Sequence, residues 1–221
     1  MTMTITRAGA AIVAACAVAA ASVASEPSLA VPEAGQRWHF RVLLDDEVVG
    51  WHRYVVRAGD DHTEVESRAQ FDVRVLFVNA YRYRHEARER WRGVCLENLE
   101  SRTVTNGTVE EVDAVAIAEA LVVARGSGET RLPGCVMSFA DWDPRILQAE
   151  RLLNPQTGEW LPVRVESRGT ERVTVDGHTV TALRHRISGP ELQIDVWYAD
   201  GRWVGLEAET HGGRLVRYEL Q

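Results

Sequence analysis

Apolar and polar residues alternate with a period of two through most of the chain beyond residue 36. In residues 71–75 (FDVRV) the apolar residues stand at odd positions, and in residues 192–196 (LQIDV) they stand at even positions. Residues 81–88 (YRYRHEAR) place two tyrosines, a histidine and an alanine on one face and four charged residues on the other. Strands with one dry and one solvated face are typical of antiparallel sheets and rare in parallel ones.

Short turn sequences separate the alternating segments. Asn-Gly or Asp-Gly dipeptides begin at Asn106, Asp176 and Asp200, and such pairs supply the positive φ angles of tight hairpin turns. In the first half of the chain we expect strands over residues 37–44, 48–58, 62–78, 80–92, 95–105 and 108–124, the last range holding two strands. In the second half we expect them over residues 160–168, 171–175, 178–188, 191–198, 202–210 and 213–220.

One stretch breaks the alternation and predicts a helix. Asp143 suits a helix N-cap, because its carboxylate accepts bonds from the first free amides, and Pro144 suits the first turn. A short helix is therefore predicted over residues 145–153, ending at Asn154-Pro155.

These elements predict a single mainly β domain over residues 37–221. Its fold is a strongly curved antiparallel sheet or an incomplete β-barrel, with the one short helix acting as a lid or plug. A sheet with a dry face needs a cover. We therefore expect residues 138–153, named the cover segment below, to pack on the concave face that bears Tyr81, Tyr83 and His85.

The first 24 residues predict a signal peptide. They hold a single charge, Arg7, followed by an apolar run over residues 8–21 and small residues at Ser22 and Ala24. We expect cleavage after Ala24, or alternatively near Ala30, and a flexible N-terminal segment over residues 25–36. The protein would then be periplasmic or secreted. An uncleaved membrane anchor is the alternative, although the run is shorter than the roughly 20 residues that span a bilayer.

The cysteines fit an oxidising compartment. Cys16 lies in the predicted signal, where VAAC (residues 13–16) resembles a lipobox, so a lipoprotein anchored through Cys16 is a further alternative. Cys95 and Cys135 remain as an even pair, for which a disulfide is the natural interpretation and two buried free thiols the alternative. The absence of a CxxC motif disfavours redox catalysis and a cysteine-based zinc site.

Charge and motifs exclude several classes of function. The formal net charge is −7, with no polybasic stretch, so we expect no nucleic-acid partner. The seven histidines include no HExxH pair, and no GxSxG or phosphate-binding loop is present, so we expect no metal and no cofactor.

Two features leave an enzymatic alternative open. Glu64 and Glu66 lie on one face of a predicted strand, and a like-charged pair can raise one pKa for acid–base work. His85 is the second candidate, on the dry face of its strand. The commoner interpretations are that arginines such as Arg82 neutralise the glutamates and that the histidine is a satisfied core residue.

Three segments resemble an uncharacterised family of secreted bacterial β-sheet proteins. They are residues 71–77 (FDVRVLF), 132–142 (LPGCVMSFADW) and 153–159 (LNPQTGE). That family is distantly similar to periplasmic half-barrel proteins of the lipoprotein-localisation-factor type. The resemblance implies a curved sheet that holds an acyl chain under a helical lid. At the position before Trp142, where that family has an aromatic residue, this chain carries Asp141. The departure argues against a ligand-stacking aromatic at this position.

The sequence thus favours an exported, non-enzymatic protein that binds or carries an apolar or lipid-like ligand in a concave sheet. A periplasmic hydrolase-type enzyme and a structural envelope protein without a small ligand are the alternatives, and the oligomeric state stays open. The candidate ligand-binding residues are Phe77, Tyr81, Tyr83, His85, Phe139 and Trp142. The competing interpretation is that these aromatic residues simply form the core of an open sheet.

Overall fold

The computed structural model describes residues 35–75, 78–190, 192–210 and 212–221, with backbone alone for 74, 75 and 78–80. The predicted signal peptide, most of the segment 25–36 and Phe77 lie outside the described residues. The strands are β1 (Arg37–Leu44), β2 (Glu47–Ala58), β3 (Thr63–Val75), β4 (Val78–Arg92), β5 (Cys95–Thr105), β6 (Thr108–Ile117), β7 (Ala120–Arg125), β8 (Gly128–Pro133), β9 (Arg151–Leu153), β10 (Trp160–Pro162), β11 (Arg164–Val175), β12 (His178–Gly189), β13 (Leu192–Ala199), β14 (Arg202–Glu209) and β15 (Leu215–Leu220).

Thirteen of the strands form one antiparallel sheet in the order β11-β12-β13-β14-β15-β1-β2-β3-β4-β5-β6-β7-β8. Strands β9 and β10 pair separately as a short ribbon. In the part of the chain that the structure describes, the two outer strands β8 and β11 do not pair, so the sheet is not a closed barrel. The prediction of a mainly β, antiparallel, open architecture is confirmed.

The sheet curves strongly around its dry face. Strands β4 and β13 are six positions apart in the order, which in a flat sheet would separate them by roughly 29 Å at about 4.8 Å per strand. Yet His85 on β4 and Ile194 on β13 line the same cavity. Curvature is therefore what brings distant strands to one site.

The predicted hairpin turns are confirmed. Asn106, Asp176 and Asp200 have φ angles of 51°, 47° and 49°, and the glycine that follows each also has a positive φ. The break expected between residues 168 and 171 is instead a bulge inside β11, where Gly169 adopts a φ of 90° and the register against β12 shifts. Strands β8 and β9 were not predicted.

The predicted lid helix over residues 145–153 is wrong. Its start is as expected, since Asp143 Oδ1 accepts from the Arg145 amide at 3.0 Å with Pro144 in the first turn. However, the helical part is only a 3-10 turn, Pro144–Gln148. The chain then extends because the Leu153 amide donates to the Met137 carbonyl at 2.8 Å, so pairing between chain segments replaces helical bonds.

The cover segment nevertheless packs on the concave face. Trp142 is 2% exposed and meets Trp91 of β4 edge-on, with ring centroids 5.6 Å apart. Ser138 Oγ donates to the Glu89 carboxyl at 2.9 Å. The cover segment therefore lies over the C-terminal half of β4, away from the N-terminal end that carries Tyr81.

Tryptophans anchor the centre of the core, where β14 approaches β1. Trp38 and Trp203 are buried, and Phe40 contacts Trp203 with ring centroids 4.3 Å apart. The Trp38 indole donates to the Trp203 carbonyl at 2.9 Å, so its one polar atom is satisfied inside the core.

A disulfide joins Cys95 at the start of β5 to Cys135 just before the cover segment, with Cα atoms 4.9 Å apart. The predicted pairing is confirmed. The Leu96 amide also donates to the Val136 carbonyl at 2.8 Å, so the bridge and a backbone bond fix the same junction. Across the described ranges, no helix has the length and apolar composition of a membrane span.

Candidate functional site

A cavity of about 280 Å³ lies between the concave face and the cover segment. Its wall has two chemically different sides, one built by β2, β3 and β4 together with the cover segment, the other by β13, β14 and β15. The polar side carries titratable groups, whereas the other side is chiefly aliphatic.

His52 organises the polar side on β2. Its Nδ1 lies 3.2 Å from the Tyr218 hydroxyl and its Nε2 lies 2.7 Å from Ser67 Oγ, while its ring stacks on Tyr54 at 4.3 Å. Burial holds the pKa of His52 well below its usual value, and the nearby His85 adds to the shift. The ring is therefore neutral at physiological pH and acts as a hydrogen-bond bridge.

Two groups on β4 continue this side. His85 is buried, its Nδ1 lies 2.9 Å from Thr103 Oγ1, and burial lowers its pKa to about 4. Glu89 accepts hydrogen bonds from Ser138 at 2.9 Å and from the Trp91 indole at 3.0 Å. Burial nonetheless raises the pKa of Glu89 to about 7, so these two bonds only partly offset the loss of solvation.

Asp141 is the polar contribution of the cover segment. The residue is 7% exposed, lines the cavity, and has its Oδ1 without a hydrogen-bond partner among the described residues. Burial raises the pKa of this carboxyl to about 7. A buried carboxyl oxygen without a donor is uncommon and calls for an explanation.

The opposite side of the cavity is largely apolar, with Glu209 and Tyr218 as its titratable residues. Strands β10, β13, β14 and β15 contribute its aliphatic side chains, which are Leu161, Leu192, Ile194, Leu206, Ala208 and Val216. Several of them are only partly buried, so this side stays in contact with solvent at the cavity mouth. An apolar wall facing a few polar groups is the usual composition of a small-molecule site.

The cavity is acidic. Glu89, Asp141 and Glu209 line it, and the described lining residues include no arginine or lysine. In the same described ranges, no group of three histidine, cysteine, aspartate or glutamate residues is arranged to hold a metal ion.

The structure places three of the candidate ligand-binding residues at this cavity, namely His85, Phe139 and Trp142. Tyr83 is buried next to it and stacks on Phe71 at 5.0 Å, outside the lining. Tyr81 is 37% exposed and does not line the cavity. Phe77 is not among the described residues.

The enzymatic candidates are not brought together. Glu66 forms an ion pair with Arg57 at 2.9 Å, and Glu64 is exposed, so both belong to the solvated face. His85 has a hydroxyl and not a carboxylate as its hydrogen-bond partner in the described chain.

Sequence reasoning missed His52, Glu89, Asp141 and Tyr218 as site residues. One signal was available for Glu89, because the dry face of β4 continues from Ala87 through Glu89 to Trp91. A carboxylate on an apolar face between two buried residues indicates a buried polar site. Asp141 carried no comparable pattern.

The fold and the site define an open, curved antiparallel-sheet protein with a covered cavity on its concave side. The chain belongs to the family described as domain of unknown function DUF6134, whose family model matches residues 40–221. It is also similar to the crystal structure of a β-barrel-like protein of domain of unknown function DUF1849 from Brucella abortus. That similarity has a TM-score of 0.66 at 12% identity and covers 87% of this chain and 98% of the other.

The identity to the Brucella protein is low enough that the likeness concerns the fold alone. No curated protein matches this chain in sequence.

Proposed function

We propose that the protein is an exported, non-enzymatic module that binds a small, largely apolar ligand in the covered cavity. The observation that carries the proposal is the two-sided wall, with aliphatic residues facing a cluster of buried polar groups. Natural ligand sites combine these two elements, the apolar surface for affinity and a few polar groups for orientation.

The dimensions support a compact ligand. A volume of about 280 Å³ accommodates about nine water-sized groups at roughly 30 Å³ each. Because the aliphatic wall reaches the cavity mouth, a longer chain would extend from the mouth toward solvent. The proposal extends the distant resemblance of the sequence motifs to half-barrel proteins of the lipoprotein-localisation-factor type, which would imply a ligand with an aliphatic chain.

A hydrolase is the second candidate, and one observation favours it. Ser67 Oγ lies 2.7 Å from His52 Nε2 inside the cavity, a distance that suits a nucleophile and its base. The group that orients the other nitrogen of the His52 ring is the Tyr218 hydroxyl and not a carboxylate. The lowered pKa of His52 also makes it a weak base. Binding therefore accounts for the site better than acyl transfer does.

Filling the cavity tests the proposal. The Ala208→Phe substitution puts a phenyl ring against the aliphatic wall, and we expect it to weaken binding of the apolar dye N-phenyl-1-naphthylamine about tenfold or more, equivalent to ~1.4 kcal/mol. Dye fluorescence titration measures the affinity. Ala116→Phe, at an exposed position of β6 that does not line the cavity, is the matched control and should bind the dye as the unsubstituted protein does.

Two outcomes would contradict a binding module. Absence of dye binding to the unsubstituted protein, together with native mass spectrometry showing no co-purified ligand, would favour a structural envelope protein. Covalent labelling of Ser67 by a serine-reactive fluorophosphonate would favour the hydrolase. Thermal melting of each variant shows whether a lost signal reflects unfolding.

Export has its own test. We expect N-terminal sequencing of the protein recovered from the producing bacterium to begin at Ser25, because Ser22 and Ala24 suit the positions before the cleavage site. A start at a lipidated Cys16 would make the protein a lipoprotein, and an intact N-terminus in the cytoplasmic fraction would overturn export.

A further inference from the structure

We propose, building on the proposed binding function, that the cavity selects an amphiphile with a cationic head group, an alkylammonium, and that Asp141 is the partner of this group. The aliphatic wall would hold the alkyl chain. The proposal assigns the ligand's charge, which apolar binding alone leaves open.

The first observation is the unpaired carboxyl. Asp141 is only 7% exposed, it lines the cavity, and its Oδ1 accepts no hydrogen bond from any described residue. The carboxyl of the partly buried Glu89, which also lines the cavity, already accepts bonds from Ser138 and Trp91. A donor brought by a ligand is what the Asp141 carboxyl lacks.

The second observation is that Asp141 is held in place. Its backbone carbonyl accepts a hydrogen bond from the buried Tyr198 hydroxyl at 2.8 Å. On either side, the Asp143 amide donates to the Ala140 carbonyl at 2.8 Å, and Trp142 is packed against Trp91. These contacts fix the backbone that presents the carboxyl, so the side chain starts from a position that already lines the cavity.

The third observation is the sign of the charge around the ligand. The described lining holds three carboxyls and no arginine or lysine. A carboxylate or phosphate head group would therefore be buried beside groups of its own sign without a counter-ion, which is strongly unfavourable. An ammonium gains a charge-assisted hydrogen bond in the same position.

Binding should strengthen as pH rises. Burial raises the pKa of Asp141 to about 7 in the empty cavity, whereas an ammonium requires the ionised form. If Asp141 is fully ionised in the complex, the apparent affinity is proportional to the fraction of the empty protein in which Asp141 is ionised. With a pKa of about 7, this fraction rises about tenfold between pH 6 and pH 8.

The groups that face Asp141 do not reverse this sign. Glu89, with a pKa of about 7, ionises over the same range and adds attraction for a cation. His52 and His85 have lowered pKa values and stay neutral, and Asp143 is paired with Arg145 at 2.5 Å. Three buried tyrosines with raised pKa values also stay neutral, namely Tyr54, Tyr198 and Tyr218.

The experiment compares three probes of one chain length, n-octylamine, octan-1-ol and octanoic acid, by displacement of N-phenyl-1-naphthylamine from the full mature chain. Between pH 6 and pH 8 the amine stays cationic and the acid anionic, because alkylamines and carboxylic acids ordinarily titrate near roughly 10.4 and 4.3. At pH 8 we expect octylamine to bind at least about tenfold more tightly than octanoate, which is one step of ~1.4 kcal/mol.

The Asp141→Asn variant isolates the carboxyl. It should weaken octylamine about tenfold at pH 8 and reduce the rise in octylamine affinity between pH 6 and pH 8 to the part that ionisation of Glu89 contributes, and the uncharged octan-1-ol should lose clearly less affinity than octylamine. Asp113→Asn, on the exposed face of β6, removes a carboxyl away from the cavity and serves as the matched control.

The outcomes separate this inference from the proposed function. Equal binding of octanoate and octylamine, or an Asp141→Asn variant that binds octylamine normally, overturns the cationic head group while dye and alcohol binding keep the binding function intact. Failure of the dye and of all three probes to bind the unsubstituted protein overturns both.

Discussion

Removal of the Cys95–Cys135 disulfide is expected to lower the free energy of unfolding by about 4 kcal/mol. The bridge closes a loop of 40 residues, and in the chain-entropy model a loop of this length restricts the unfolded chain by ~4 kcal/mol. Urea unfolding of the Cys95→Ser, Cys135→Ser double variant measures the loss. We also expect the cover segment to loosen, because the bridge ties its entry to β5.

Reduced, unsubstituted protein is the control for this measurement. It should unfold at the same urea concentration as the double variant, because both lack the same covalent link. A loss below about 1 kcal/mol would mean that the unfolded chain is not restricted as the loop length requires.

Replacement of Trp142 by alanine is the second large effect that we expect, at about 3–5 kcal/mol. The indole is 2% exposed and packs edge-on against Trp91, so truncation removes apolar burial and leaves a void under the cover segment. Denaturant unfolding measures this change. Trp160→Ala is a suitable comparison, because Trp160 is only partly buried and stacks on Arg151, and its loss should be smaller.

The Trp142→Ala experiment also distinguishes a core residue from a gate. A core residue gives the full loss of stability. A loss below about 1 kcal/mol, combined with altered binding of N-phenyl-1-naphthylamine, would assign Trp142 to a gate that an entering ligand displaces.

Much of the fold could be predicted because its signals are local. Alternation defines most of the strands and their buried faces, and dipeptides such as Asn106-Gly107 fix the hairpins. The lid helix failed for the opposite reason. The capping residues Asp143 and Pro144 are a local signal, and they do start a helical turn. Beyond Gln148 the chain is extended because Leu153 bonds to Met137, and no local sequence pattern predicts this pairing.

The candidate site shows the same division. Period-two alternation places Tyr81, Tyr83 and His85 on one face, yet it does not say which end of β4 the cover reaches. Only His85 of these three lines the cavity. Asp141 was outside the reach of pattern reasoning, because its importance comes from what surrounds it in space.

The pairing of β1 with β15 has a consequence for folding. The two strands are neighbours inside the sheet, with Phe40 opposite Leu220, so an inner ladder joins residues that are far apart in the sequence. Such non-local pairing closes slowly, because the loop entropy of the intervening chain must be overcome first. Until β15 pairs with it, β1 has an edge of unpaired backbone N–H and C=O groups, and intermolecular pairing at this edge competes with completion of the sheet.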